Sequence, residues 1–344
     1  MRAVQYSAFG AGPSLVDLDV PEPGPGQVLV RIDAAGLCHT DLGIMAMVPE
    51  VYRYAMPLTL GHEGAGTVAE TGAGVRRVRP GDQVAVYGAW GCGRCAACAI
   101  GAENYCPHVV AAGIRRPGLY GPGALADYML VDREEHLVPL DGLDPVAAAG
   151  FTDAGLTSWH AIKPELPLLS AASLVVVIGV GGLGHAALQI LRALSPATVL
   201  AVDLAPDKLE LARACGAHHT VTGVGDLPGA GLDLTAGVGA ALVLDFVGTD
   251  RTLAAAAQTV AIGGAIKIVG AGGGALPFGF GTAPLGARVE LPFWGRLDEL
   301  HEVLALARAG RIELETEVHS LQDAPAAYER LDAGLVRGRV IVVP

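Results

Sequence analysis

The stretch SLVVVIGVGGLG, residues 173–184, decides the fold. Its first half is a continuous apolar run rich in β-branched residues, the pattern of a strand buried on both faces. Its second half, GVGGLG at 179–184, fits G-x-G-x-x-G and opens a helix read over 182–194. Strand, glycine turn and helix in that order begin a dinucleotide-binding unit. Gly179 allows the tight turn, Gly181 lets the backbone approach a pyrophosphate, and Gly184 permits close helix–sheet packing. The helix N-terminus then faces the anion. The next strand, ATVLAVD at 197–203, ends in Asp203, about 20 residues on, as the fingerprint requires. An acid there accepts hydrogen bonds from the adenosine ribose and repels a 2′-phosphate, which favours NAD over NADP. The rival reading is a glycine turn in an α/β domain that holds no ligand.

Strand–helix alternation continues downstream. PDKLELARACGA (206–217) reads as a helix, with Pro in its first turn and Gly near its end. ALVLDFVG (241–248), GAIKIVG (264–270) and RVELPFWG (288–295) read as strands. This spacing predicts a doubly wound parallel sheet. Upstream, QVLVRIDAAG (27–36), GTVAETG (66–72), DQVAVYG (82–88) and LADYMLV (125–131) are short β pieces separated by Gly and Pro. They predict a mainly antiparallel β domain. The character changes near residue 145, where DPVAAAGFTDAGLTSWHAI (144–162) reads as one helical segment. The last residues, 317–344, end in a helix and a strand that return to the β domain. At 344 residues the chain suits two domains: 1–150 with 296–344, and 151–295.

Composition narrows the function. Lys and Arg number 23 against 35 Asp and Glu, a net charge of −12, with no basic stripe, so no nucleic-acid partner is expected. No run of about 18 apolar residues occurs, so no membrane span is expected. The opening MRAVQYSAFG lacks the apolar region of a signal peptide. The expectation is a cytoplasmic protein, in which crowded cysteines point to a metal before disulfides.

Cys92, Cys95, Cys98 and Cys106 are spaced C-x2-C-x2-C-x7-C. Four thiolates on one short loop can close a tetrahedron around Zn²⁺, leaving no open position, so such a zinc is structural. An iron–sulfur cluster and two disulfides are the rivals. Cys38, in GLCHTD (36–41), lies apart, and GHEGAGTVAETGAGV follows at 61–75. Taken singly, a Cys is a small core residue and a His a satisfied polar side chain.

Together they carry more. GHE-x2-G-x5-G-x2-V, from Gly61 to Val75, resembles the signature of zinc-containing alcohol dehydrogenases of the medium-chain dehydrogenase/reductase family, and most resembles the bacterial secondary-alcohol dehydrogenases within it. The resemblance covers essentially the whole chain, because the Cys38 motif, the four cysteines, GVGGLG and Asp203 stand in the family's order. It implies an α/β protein with a GroES-like catalytic domain and a Rossmann NAD-binding domain. It also implies one catalytic and one structural zinc per chain, NAD as cofactor, and a homodimer or homotetramer.

Residue by residue, Cys38 and His62 match two catalytic zinc ligands. Asp153, in FTDAGLTSWHA, takes the place of a cysteine found in much of the family. Read alone, Asp153 could also be a surface acid inside a helix. Glu63 resembles the near-zinc glutamate, Arg339 the arginine that approaches it and the pyrophosphate, and Asp41 the carboxylate that orients the ligating histidine. Thr40 matches the hydroxyl that takes the alcohol proton, and His39 the pyrophosphate contact. The cofactor set extends to Gly182, Leu183, Lys208 and Val269. Tyr54, Leu119 and Trp294 would line an apolar substrate cleft. Gly43 contributes no bulk to that cleft and no terminal base to the relay. The activity implied is reversible hydride transfer between NAD(H) and a secondary alcohol or ketone with an apolar substituent. A polyol, aldehyde or amino-alcohol dehydrogenase is an alternative, as is a non-catalytic NAD-binding protein.

Overall fold

The computed structural model describes residues 1–52 and 55–344, and the chain forms two compact units. The first holds residues 1–156, 294–309 and 315–344; the second holds 157–293 and 310–314. Residues 151–156, expected with the nucleotide-binding region, thus group with the β unit. No helix among the described residues is long and apolar enough to cross a membrane.

The β unit is built on a sheet ordered Thr316–Ser320, Arg339–Val343, Val28–Gly36, Glu63–Thr71, Gln83–Val86, Leu137–Pro139. Tyr128–Val131 pairs with the first half of Val28–Gly36, on residues 28–31. A smaller sheet joins Ser14–Asp17, Arg2–Tyr6 and Leu58–Thr59. Val28–Gly36 runs through the middle because its apolar side chains, among them Val28, Val30, Ile32 and Ala34, are all buried.

Register here places the chemistry. Gly36 pairs with Glu63 on one side and with Ile341 on the other. Cys38, His62 and Arg339 therefore arrive at one end of one sheet, each just past or at a strand terminus. Gly36 is required for this approach, since a Cβ there would stand 1.8 Å from Glu63 Oε2.

The segment read as one helix over 144–162 is broken. It divides into Pro145–Ala149, a 3₁₀ turn Gly150–Thr152 and Ala154–Ile162, with Asp153 between them at φ −129° and ψ −64°. Gly150 is a poor helix former, and the Thr152 hydroxyl donates to the Ala149 carbonyl at 2.7 Å, competing with the helical ladder. The strand read over 288–295 is also shorter, Arg288–Glu290, because Pro292 has no N–H for the ladder. Trp294 lies beyond it with a left-handed φ of 53°, so it is not a strand residue.

The second unit is a six-stranded sheet in which every pairing is parallel. Its order is His219–Thr222, Thr198–Asp203, Leu174–Ile178, Ala240–Asp245, Val260–Ile268, Arg288–Glu290. All five residues of Leu174–Ile178 are buried, which explains why that run is apolar without alternation. The strand order reverses between Leu174–Ile178 and Ala240–Asp245, the place where open α/β sheets bind ligands.

Candidate metal centres and nucleotide turn

Asp41 organises the site in the β unit. Cys38 is the N-cap of the helix His39–Met45, and its amide donates to Asp41 Oδ2 at 3.1 Å. Asp41 Oδ1 lies 3.0 Å from His62 Nδ1. A proton on Nδ1 leaves the Nε2 lone pair free for a metal. Nε2 stands 3.6 Å from Asp153 Oδ2, and Cys38 Sγ stands 3.5 Å from that same oxygen. The break in the 144–162 segment is what turns Asp153 into this cluster, where it is 8% exposed and not a surface acid.

The donor set fits a zinc ion. Ligand atoms of Cys38, His62, Glu63 and Asp153 all lie within 4.8 Å of one another. A tetrahedral zinc with ordinary bond lengths separates its ligand atoms by about 3.3–3.8 Å, close to the spacing found here. Arg339 Nε donates to Glu63 Oε2 at 3.0 Å, its guanidinium lies against that carboxylate, and Nη2 is 3.4 Å from Asp153 Oδ2. Burial opposes charge on Cys38, yet the Arg339 cation holds its thiol below the ordinary value. Burial likewise opposes a charged His62, but the Asp41 carboxylate, helped by hydrogen bonds that the ring donates to Asp153 and Asp41, lifts it well above the usual imidazole range. Metal binding to such a set releases protons, because its thiol and imidazole ligands must be deprotonated.

Around this cluster the other expected residues fall unevenly. Thr40 is exposed, with Oγ1 at 3.5 Å from Cys38 Sγ, and His39 is exposed beside it. Trp294 is buried, stands edge-on to the His62 ring at 5.5 Å and 82°, and donates its indole N–H to the Thr152 carbonyl at 2.9 Å. Gly43 faces open space. Leu119 is buried, and its carbonyl accepts from the Tyr52 hydroxyl at 2.8 Å. Tyr54 lies outside the described residues.

The four-cysteine loop is a second centre. Sulfur–sulfur distances are 3.5 Å for Cys95–Cys98, 3.8 Å for Cys95–Cys106 and 4.0 Å for Cys92–Cys98, and all four are free thiols. A zinc tetrathiolate requires about 3.8 Å. The Arg94 and Cys95 amides hold the Cys92 thiol down at about 6, while burial and the neighbouring sulfurs push Cys98 up to about 12. Behind the loop Glu103 accepts from the Gly91 amide at 2.9 Å, from Arg133 at 2.9 Å, and lies 3.0 Å from His136 Nε2. Arg116 donates to the carbonyls of Trp90, Glu103 and Asn104 at 2.9–3.0 Å. Neither bracing residue belongs to a spacing motif, so no pattern in the chain announces them.

In the second unit, Gly179 adopts a φ of +88°, and a Cβ on Gly184 would lie 1.9 Å from the Gly179 carbonyl oxygen. Both positions therefore demand glycine. Gly181 has no atom within 4 Å of where a Cβ would stand, leaving its backbone open to a ligand. Gly182 follows in the turn, and the Leu183 carbonyl accepts from Ser158 Oγ at 2.9 Å. Asp203 has a structural role: Oδ2 accepts the Val180 amide at 2.8 Å, and Oδ1 accepts Leu204 and Ala205 at 2.7 and 3.1 Å. A carboxylate has about four lone-pair directions, so a ribose hydroxyl still has a place. Lys208 sits half-buried in the first turn of Pro206–Ala214, and Val269 follows Val260–Ile268 with its amide donating to the Asp245 carbonyl at 2.8 Å.

Two family models match the chain: the alcohol dehydrogenase GroES-like domain over residues 24–142 and the zinc-binding dehydrogenase over 182–308. The D-arabinose 1-dehydrogenase (NADP(+)) of Saccharolobus solfataricus is 35% identical, over 100% of this chain and 97% of its own. An NAD-dependent alcohol dehydrogenase of Sulfurisphaera tokodaii is 33% identical, over 100% of both chains. Among solved structures, the alcohol dehydrogenase of Aeropyrum pernix superposes with a TM-score of 0.92 at 33% identity, covering 100% of both chains.

Proposed function

This chain belongs to the zinc-containing alcohol dehydrogenases of the medium-chain dehydrogenase/reductase family, and from that premise we propose that Cys38, His62 and Asp153 hold its catalytic zinc and that it interconverts secondary alcohols and ketones bearing an apolar group. The observation that carries the assignment is the convergence of those three donors within one zinc's coordination distances, on a sheet end where Glu63 and Arg339 balance charge. Bound there, zinc would supply Lewis acidity toward a substrate oxygen, and the nicotinamide a two-electron carrier.

The chain's own residues do the rest. Thr40 Oγ1 accepts the substrate's hydroxyl proton and passes it outward, since Thr40 is exposed and Gly43 offers no base behind it. Asp41 keeps His62 presenting Nε2. Trp294 walls one side of His62 and keeps water from it. Asp203 selects NAD, its carboxylate already oriented by the Val180 amide. The four cysteines hold a second zinc that maintains the loop. Exposed Ile262, Phe280, Leu285 and Leu291 near the edge strand Arg288–Glu290 support a homo-oligomer, and we place the protein in the cytoplasm.

A sugar or polyol substrate is the second reading, favoured by the D-arabinose dehydrogenase relative. The deciding experiment combines metal analysis with NADH formation on secondary alcohols, primary alcohols, polyols and aldoses, using NAD⁺ and NADP⁺. Two zincs per chain and a preference for apolar secondary alcohols with NAD⁺ are expected. Turnover confined to aldoses would overturn the substrate reading. A fivefold preference for NADP⁺ would remove the Asp203 argument.

A further inference from the structure

We infer that Tyr328 is a positioning residue for the catalytic metal, acting through Asp41 on His62. It stands in the helix Ala324–Asp332, and its hydroxyl donates to Asp41 Oδ2 at 2.9 Å. The two residues are 287 positions apart in the chain. Asp41 is 0% exposed and Tyr328 2%, so water cannot replace either partner.

The two carboxylate oxygens divide their work. Oδ2 takes the Tyr328 hydroxyl and the Cys38 amide, while Oδ1 faces His62 Nδ1. With Oδ2 held from two directions the carboxylate cannot rotate, and the imidazole plane is set with it. A charge-assisted O–H···O⁻ bond in a dry site is among the stronger orienting contacts available to a side chain. A phenylalanine would fill the same volume, so the hydroxyl's partner, Asp41, is what distinguishes tyrosine at this position. The contact also ties the C-terminal helix to the metal centre, which Arg339 reaches from the following strand.

The inference rests on Cys38, His62 and Asp153 being zinc ligands. It is tested on the full zinc-loaded protein with Tyr328→Phe, reading zinc release to a chromophoric chelator, the visible spectrum after cobalt replaces zinc, and Tm. Release from the His62 site is expected to accelerate about 3- to 10-fold, below the roughly 10- to 100-fold seen for groups that touch a metal ligand directly, since Tyr328 acts one contact further out. The cobalt bands should shift, while release from the four-cysteine site stays unchanged. In an Asp41→Ala background, which has no side-chain acceptor for the hydroxyl, the same substitution should add nothing. Unchanged release and cobalt bands, or an equal increment in both backgrounds, would overturn the inference and leave Tyr328 a packing residue. Should Tyr328→Phe not fold, Tyr328→Met removes the same hydroxyl and is read in the same way. A parent protein whose Cys38–His62 site takes up no metal, with only the four-cysteine site filled, would overturn the site assignment too; metal at the Cys38–His62 site with unchanged release would overturn this inference alone.

Discussion

The two cysteine-bearing centres of the β unit solve the same electrostatic problem with opposite architectures. The four-cysteine loop draws every donor from 15 consecutive residues, Cys92 to Cys106, and uses sulfur alone. The other centre draws Cys38, His62 and Asp153 from three separated segments, backed by Asp41, Tyr328 and Arg339. A local, closed donor set can only hold a loop together. In the proposed assignment the dispersed set gives zinc three ligands, with Glu63 held by Arg339 instead, so a coordination position is left over. We propose that closure goes with stability and openness with chemistry.

A third cluster, in the nucleotide-binding unit, shows charge compensation without a metal. Lys267, 1% exposed, pairs with Glu165 at 2.8 Å and contacts Glu290, while Arg288 reaches Glu165 at 2.6 Å. There the chain supplies both signs itself.

The comparison can be broken most sharply at Cys38. Cys38→Ala should lower turnover by about 1,000-fold or more, since metal polarisation contributes several kcal/mol to the barrier. Metal content should fall from two to one per chain with Tm little changed. Substantial turnover with one metal lost would show that the open centre is not catalytic. Next, Thr40→Val should cost about 100-fold in kcat while NADH affinity, read by fluorescence titration, stays within a factor of two. Cys95→Ser should act on the other axis. It is expected to reduce unfolding free energy by about 3 kcal/mol in denaturant titration, with kcat per folded molecule nearly unchanged. A larger loss of kcat than of stability there would erase the division between the centres.

The smallest expected effect belongs to the metal-free cluster. Burial works against the Glu165 carboxylate, but Arg288 and Lys267 hold it below the usual range. Because its folded value is depressed, the stabilisation is present above the unfolded carboxylate value and is lost as pH falls through the folded one. Glu165→Gln should flatten the acid limb of the stability curve, and chelators should leave that limb unmoved. A chelator-sensitive acid limb in the Glu165→Gln protein would mean that the metal centres, which also lose ions in acid, govern it.

Much of this was legible from residue order. Apolar runs such as 174–178, and the glycine spacing at 179–184, are local signals whose physical cause lies within a few residues. The helix break at 150–153 was hidden, because 144–162 keeps a helix-like composition and one threonine hydroxyl ends the ladder. Trp294 read as a strand residue because its neighbours are apolar, although Pro292 stops the pairing and a positive φ redirects the indole toward His62. The Arg116 and Glu103 braces carry no spacing at all.

By itself the sequence determined the two architectures, the four-thiol loop and the nucleotide turn, because each arises from contacts between near neighbours or from a backbone that only glycine permits. Only the tertiary structure decided that Asp153 joins Cys38 and His62, that Trp294 stands edge-on to His62, and that the Tyr328 hydroxyl meets Asp41. Those contacts depend on strand register and on one interrupted helix. A carboxylate, an indole and a phenol carry no mark in the sequence of which buried partner they will meet.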